Sequence, residues 1–398
     1  MAKRILLVNK FYYSRGGAEI VAINLRDMLT AMGYEVGIFT MDFGSNRREP
    51  NVYTAPEVTF KGSMGEKLRF AMRTLGGAGL KQAFTSAMQQ FKPDVVHLHN
   101  VHSYLSPAMA QWAHEKGVRV VWTLHDYKLL CPAYSCLNHG HPCERCYNDK
   151  WNVVRERCFK QSAAASLLSW VEAKKWNRQW IERNVDAFIC PSQFMRGQML
   201  KGGFSEQKLH TVCNFIDPVK AEALRRNSQV KKADYYAYIG RLSSEKGVAT
   251  LLKAASTLPY KLKIAGDGPL MPQFRQQYGQ CANIEFLGQL DAVQVSDLQR
   301  KALMVVQPSE CYENNPLSVI ESLCAGTPVI GSRIGGIPEL ITPECGMTYA
   351  MGDANELSQC ITAMMERTCD YAAIAAEASQ RFSGEAHFAK LKPLYFPE

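Results

Sequence analysis

Residues 4–40 read RILLVNKFYYSRGGAEIVAINLRDMLTAMGYEVGIFT, and this stretch decides the fold class. Arg4–Val8 is a short apolar run that predicts a buried strand. A loop holding Gly16-Gly17 follows. Ala18 to Met32 is an amphipathic helix that stops at Gly33, a residue suited to the C-cap. Tyr34 to Thr40 then predicts a second strand. A strand, loop, helix and strand in succession favour a parallel sheet.

The same alternation continues outward. Asp94–His99 and Val118–Leu124 predict strands, with a helix around Ser106–Glu115 between them. Ala187–Cys190 and Leu209–Val212 predict two more. Asp217–Ala233 breaks the pattern with a polar, charged run, and reads as a linker or surface excursion. A second series starts with a strand at Tyr235–Ile239 and a helix from Val248. Strands follow at Lys261–Ala265, Ile284–Leu287, Leu303–Gln307 and Pro328–Gly331, with a helix at Pro316–Cys324 ahead of the last. The expected architecture is α/β: two Rossmann-like, doubly wound domains facing a cleft. The first covers 1–216, a linker 217–233, and the second 234–383, with 384–398 crossing back to the first. In such sheets ligands bind at the carboxyl ends of the strands.

A chain of 398 residues that is 46% hydrophobic can build two cores. Ile5–Val8 is far too short for a signal-peptide core, and no run reaches the length of a spanning helix. The expected location is the cytoplasm, peripheral at most to the inner face of a membrane. The net charge of +9 is unevenly spread: residues 1–200 hold 26 Lys and Arg against 16 Asp and Glu, and the rest hold 20 against 21. Lys61, Lys67, Arg69, Arg73 and Lys81 lie among Leu68, Phe70, Met72, Leu75 and Leu80, a pattern that suits an anionic membrane surface as well as a solvated helix. A nucleic-acid partner is not expected, since no recognition helix, zinc finger or Arg-rich run is present.

Four stretches carry chemistry. Pro308 to Glu321 reads PSECYENNPLSVIE after a strand. Asn315 suits an N-cap and Pro316 the first helical position, so the amides of Leu317 and Ser318 would meet an anion such as a diphosphate. Glu313 and Glu321 suit acceptance of sugar and ribose hydroxyl protons. Gly240 to Gly247 reads GRLSSEKG, offering Arg241 as a planar fork and Lys246 as a point charge for phosphate. Gly16-Gly17 sits at a helix N-terminus and lets backbone approach a ligand. His125, in Thr123-Leu124-His125-Asp126 at a strand end, could serve a substrate hydroxyl, and His97, His99 and His102 lie near another strand end. Set against each is a plain reading: a capping loop, two solvated cations, a turn, a structural histidine. Of the 13 cysteines, Cys131, Cys136, Cys143, Cys146 and Cys158 cluster, with His139 and His141 among them. Cys143-x2-Cys146 has ligand-like spacing, and both zinc and a reduced loop fit it. No metal is assigned.

Together these stretches resemble the family 4 glycosyltransferases, retaining enzymes of the GT-B fold, including bacterial members of polysaccharide biosynthesis. The matching pieces are Gly16-Gly17-Ala18-Glu19, Thr123-Leu124-His125, Gly240-Arg241-Leu242 with Lys246-Gly247, Ala265 to Pro269, Glu313-x7-Glu321, and Ala325 to Ile330 with Gly335 to Glu339. The resemblance implies a hexosyltransferase that uses UDP or GDP sugars, needs no cofactor or metal, and acts on a glycan or polyprenyl-linked acceptor. It implies that Arg241 and Lys246 hold the diphosphate, Glu321 the ribose, and Glu313 the hexose. It also implies donor contacts from Asn314, Asn315, Pro316 and Leu317, and places Gly266 and Leu290 near the base. His125 would face the transferred sugar and Gly16-Gly17 the phosphate or acceptor. Asn314-Asn315-Pro316 departs from the glycine-containing run usual after the first glutamate, which leaves the sugar open. A non-enzymatic sugar binder and a sugar-nucleotide epimerase of the same fold remain the alternatives.

Overall fold

The computed structural model describes residues 3–226 and 231–397. They divide into two compact units. One comprises Met1–Cys136, Cys143–Cys213 and Phe388–Glu398; the other comprises Leu137–Pro142 and Asn214–His387.

The first unit holds a seven-stranded sheet of β1 (Arg4–Val8), β2 (Glu35–Met41), β3 (Val52–Ala55), β4 (Val95–Leu98), β5 (Arg119–Thr123), β6 (Ala187–Cys190) and β7 (Leu209–Thr211), in the order β3-β2-β1-β4-β5-β6-β7. All its pairings are parallel. The second unit holds β8 (Tyr236–Ile239), β9 (Leu262–Ala265), β10 (Ile284–Gly288), β11 (Val305–Gln307), β12 (Val329–Ser332) and β13 (Gly346–Tyr349), in the order β10-β9-β8-β11-β12-β13. These too are parallel. Each order runs outward from its first strand in both directions, the doubly wound pattern. The strand after each reversal point leaves its carboxyl-end loop beside that of the first strand, and those loops carry the motifs. A parallel strand covered on both faces must be apolar throughout. Ile5, Leu6 and Val8 are accordingly fully buried, as are Tyr236, Ala237, Val306, Val329 and Ile330.

Two expectations change, for the stretch from Asp217 and for the basic stretch from Lys61. The stretch read as a linker from Asp217 carries a helix, Pro218–Arg226, with Leu224 fully buried; residues 227–230 lie outside the described residues. The final helix runs Gly384–Tyr395 and carries Pro393 inside it. The basic stretch from Lys61 to Lys81 is two helices, Met64–Thr74 and Leu80–Phe91. Arg73 points inward, is fully buried, and donates to the carbonyls of Pro56 and Ala78 at 3.0 and 2.8 Å. Burial and the like charge of Arg69 pull its pKa down to about 10. Phe70 and Leu80 are also core. The large apolar side chains left exposed in this stretch are Met64, Leu68 and Met72, at intervals of four residues.

Candidate active site

In the second unit the loops after β8 and β11 converge. Gly247 has φ +64, and a Cβ there would meet the Pro308 carbonyl oxygen at 1.8 Å. Gly335, with φ +61, presses in the same way on the Glu313 carbonyl, which a Cβ would meet at 2.2 Å. Only glycine combines that backbone with that approach. The neighbouring Gly336 amide then donates to the Glu313 carbonyl at 2.7 Å. The sequence's last glycine pair thus clamps its central glutamate.

Glu313 and Lys246 meet in this corner, Oε1 to Nζ, at 2.6 Å. Ser309 Oγ donates to the same oxygen at 2.8 Å. Gln307 Nε2 donates to Ser309 Oγ at 2.9 Å and Ser318 Oγ to Gln307 Oε1 at 3.1 Å, so a chain of polar groups runs from the helix start to the carboxylate. Burial would lower the Lys246 pKa, yet the charge and hydrogen bond of Glu313 raise it above the ordinary value. Arg241 is exposed, with no acceptor for its guanidinium among the described residues. Two further carboxylates stand nearby and are engaged by hydroxyls: Thr250 donates to Glu310 and Ser243 to Glu245, each at 2.6 Å.

The helix after the loop is Leu317–Cys324, and its N-cap is Pro316, with no side-chain cap. Asn315 is therefore not the cap. Its buried side chain accepts from the Asn214 amide at 3.0 Å, and its carbonyl accepts from Asn214 Nδ2 at 2.8 Å. Among the described residues the Leu317 and Ser318 amides have no protein acceptor, and they stand at the positive end of the helix dipole. Asn314 is half-buried in the same loop. Glu321 pairs with Lys220 of the Pro218–Arg226 helix at 2.5 Å. Gly266 follows β9, and its amide donates to the Gly288 carbonyl at 2.8 Å. Leu290, just beyond β10, packs on the apolar cluster of Tyr235, Ala265 and Val305.

In the first unit the helix begins at Gly17, with Gly16 as its N-cap in extended conformation. Neither glycine is forced by its backbone, and a Cβ on Gly17 would meet nothing within 4 Å. His125 is half-buried, and its Nε2 lies 2.9 Å from His99 Nδ1. Burial, with Lys10 nearby, pulls its pKa down to about 3, so it is a neutral ring. His97 is structural: it sits between Tyr395 Oη at 2.6 Å and Thr123 Oγ1 at 2.7 Å.

The model of Glycosyltransferase Family 4 matches residues 15–220, and that of Glycosyl transferases group 1 matches residues 220–381. The chain belongs to glycosyltransferase family 4. An uncharacterised 42.6 kDa protein in the cps region of Klebsiella pneumoniae is 26% identical over 353 residues, covering 84% of this transferase and 87% of the relative. The O-antigen biosynthesis glycosyltransferase WbnH of Escherichia coli is 29% identical over 159 residues, 39% of this chain and 44% of its own. Two solved structures share the GT-B fold. Sucrose-phosphate synthase of Thermosynechococcus elongatus superposes with a TM-score of 0.70 at 20% identity, covering 99% of this chain and 98% of its own. HepE of Anabaena, solved with UDP and glucose, gives 0.67 at 18%, covering 98% of each chain.

The cysteine cluster of this glycosyltransferase is a group of thiols in contact. Cys136 and Cys146 donate to the Cys131 sulfur and lower its pKa, while their own are pushed up. Among the described residues no three His, Cys, Asp or Glu side chains are arranged to hold a metal ion, and no helix is long and apolar enough to cross a membrane.

Sequence reasoning missed Ser309, Gln307 and Lys220. Ser309 was within reach, since it lies in the same loop as Glu313. Lys220 had no signal, because its partner is a hundred residues away.

Proposed function

We propose that this glycosyltransferase is a retaining hexosyltransferase that takes its sugar from UDP or GDP and adds it to a glycan, free or polyprenyl-linked, in polysaccharide assembly. The observation that carries the donor reading is the corner of the second unit. There an uncapped helix N-terminus, the ammonium of Lys246 and the exposed guanidinium of Arg241 supply positive charge beside a glutamate. A diphosphate needs the first three, and a sugar hydroxyl needs the fourth. HepE's complex with UDP and glucose supports the nucleotide-sugar class, and the O-antigen and cps-region relatives support a polysaccharide acceptor.

In this reading Arg241, Lys246 and the Leu317 amide hold the diphosphate, with Asn314, Asn315 and Pro316 shaping the loop. Glu313 takes a hexose hydroxyl, Glu321 the ribose diol, and Gly266 and Leu290 lie by the base. In the first unit, His125 serves the transferred sugar and Gly16-Gly17 the phosphate or acceptor. The bond from sugar C1 to the diphosphate breaks, and the bond to the acceptor oxygen forms on the same face. The acceptor's proton leaves with the diphosphate oxygen. The protein side chains and helix amides meet the leaving charge, so no metal is required. Incubating the protein with a panel of nucleotide sugars and glycan acceptors, with anomeric configuration read by NMR, tests this. An inverted product, or no transfer from any donor, rejects it.

A further inference from the structure

The first unit carries an aromatic cluster at the carboxyl ends of three neighbouring strands. Phe11 and Tyr13 follow β1, Phe43 follows β2, and Tyr104 lies in the loop after β4. β1 stands between β2 and β4 in the sheet, and the winding reverses at the β1–β4 junction, where a doubly wound sheet opens a crevice for ligands. Phe11 is the buried hub. Its ring centroid is 5.7 Å from that of Tyr13, 5.5 Å from that of Phe43 and 5.2 Å from that of Tyr104. The guanidinium of Arg15 lies over the Phe11 ring at 4.5 Å. Phe43 stacks on Tyr13, with centroids 5.5 Å apart and an interplanar angle of 14°.

Two asparagines fix these loops to one another. The buried Asn9 donates from Nδ2 to the Phe11 carbonyl at 2.8 Å and accepts the Asn100 amide on Oδ1 at 3.0 Å, which joins the loops after β1 and β4. Asn46 accepts the Tyr12 amide at 2.9 Å and donates to the Met41 carbonyl at 2.7 Å, which joins the loops after β1 and β2. The Arg47 amide adds a 2.8 Å bond to the Tyr12 carbonyl. Hydrogen bonds to the backbone thus set where the rings stand, the kind of preorganisation that lowers the cost of binding. Tyr13 and Tyr104 are only half-buried. Neither hydroxyl has a hydrogen-bond partner among the described residues, and neither is closed off from solvent. Tyr236 and Tyr349, which serve the core of the second unit, are fully buried by contrast. A half-open tyrosine offers an apolar ring and a polar tip together, the combination that recognition sites use.

We propose that Tyr13 and Tyr104, backed by Phe43 and Phe11, are a platform for one pyranose ring of the acceptor. A pyranose face presents C–H bonds, which are apolar and weakly positive, and aromatic faces are electron-rich, so the two pack together out of water. Hydroxyls at the rim of the sugar donate to, or accept from, the two phenols. The nucleotide is proposed to lie in the second unit, at Lys246 and the Leu317 amide, so the platform of the first unit falls to the acceptor. The proposal rests on the reading of the protein as a glycan-building transferase, and names residues for its acceptor.

The test uses the full chain, saturation-transfer NMR with the methyl glycosides of glucose, galactose and mannose, and calorimetry with UDP on the same samples. At least one glycoside is expected to bind, with saturation greatest on the C–H protons of one ring face. Tyr13→Ala and Tyr104→Ala are each expected to weaken it about three- to tenfold, and Tyr13→Phe by less, since the ring stays. UDP affinity should be unchanged in all three. Tyr104 also packs edge-on against Phe70, at 5.3 Å, so Tyr13→Ala decides if Tyr104→Ala fails to fold. No binding of any glycoside, or glycoside binding unchanged in Tyr13→Ala, would overturn the proposal. So would loss of UDP affinity in Tyr13→Ala at an unchanged melting temperature, which would give the platform to the nucleobase. A wild type that binds a glycoside through Tyr13 but does not bind UDP would overturn the donor assignment and uphold this one.

Discussion

Lys246 Nζ stands 2.6 Å from Glu313 Oε1, so two residues proposed for different parts of a sugar nucleotide hold each other. The pair sets the ammonium at the corner where the diphosphate is proposed to lie, and the carboxylate beside it. Arg241 has no such partner among the described residues. The two cations should therefore fail differently when removed. Arg241→Ala is expected to weaken UDP binding by roughly tenfold or more, the worth of one charge-assisted contact at about 1.5–3 kcal/mol, with an unchanged melting temperature. Lys246→Ala should weaken UDP by a similar factor and also lower the melting temperature, because Glu313 is left without its cation. The Lys246 pKa is raised in the fold, so its share of stability is full below the ordinary lysine value and is lost as pH climbs past it. Calorimetry with UDP and thermal melts check both variants. Unchanged affinity in both would remove the donor assignment.

Gly335 gives a sharper test of the loop. Its φ of +61 and the 2.2 Å approach to the Glu313 carbonyl leave no room for a methyl group. Gly335→Ala should cost about 1–3 kcal/mol of stability and displace Glu313. Donor affinity should fall even though no ligand-touching side chain changes. A variant with wild-type UDP affinity would show that the clamp on Glu313 is dispensable.

The fold was legible because parallel strands announce themselves. Ile5–Val8 and Ala187–Cys190 are short apolar runs with no second interpretation in that order. Val52–Ala55 escaped because it is an edge strand with half-exposed residues and no apolar run. The site was legible as motifs but not as pairings. Glu313 and Lys246 each stood out, yet nothing in either loop says that they meet, and the reason they do lies in Gly247 and Gly335. Asn315 was misread because an Asn before Pro suits a helix cap, whereas here the tertiary contact with Asn214 outcompetes it. Arg73 was misread because its charge hides its position on the inward face of its helix.

His125 should not behave as a titrating acid or base. With its pKa brought down to about 3, it stays neutral throughout the range where an ordinary histidine changes charge. The pH profile of kcat/KM should show no limb near 6.5 that disappears in His125→Gln. Stability carries the matching sign. The unfolded chain takes up a proton below about 6.5 while the folded ring does not, so wild type should lose stability as pH falls from that value, by up to about 2 kcal/mol at pH 5. His125→Gln should lose less over the same interval. Denaturant melts at pH 7 and pH 5 compare the two, and equal losses would reject the depressed pKa.

Transfer should survive EDTA. The carboxylates nearest Lys246 are already satisfied by Ser309, Thr250 and Ser243, and the positive charge comes from side chains and helix amides. Product formation with and without chelator is the measurement. Activity abolished by EDTA and restored by Mg²⁺ or Mn²⁺ would reject the proposal.

Met64, Leu68 and Met72 form an exposed stripe, at 79%, 60% and 43%, on a helix whose other face is anchored by Phe70 and the buried Arg73. Lys61, Lys67 and Arg69 are exposed around it. An apolar stripe bordered by cations is what lets a helix lie in the headgroup region of an anionic bilayer. A surface that served only solubility would have no need of three large apolar side chains in a row. The expected result is co-sedimentation with anionic vesicles at low salt, weaker at moderate salt, and little with neutral vesicles. Replacing Met64, Leu68 and Met72 together by Ser should abolish it without lowering the melting temperature, since none of the three is in the core. Replacing Lys67 and Arg69 by Gln should weaken binding mainly at low salt. Failure to bind either kind of vesicle would leave the stripe without a membrane role and favour a soluble glycan as acceptor.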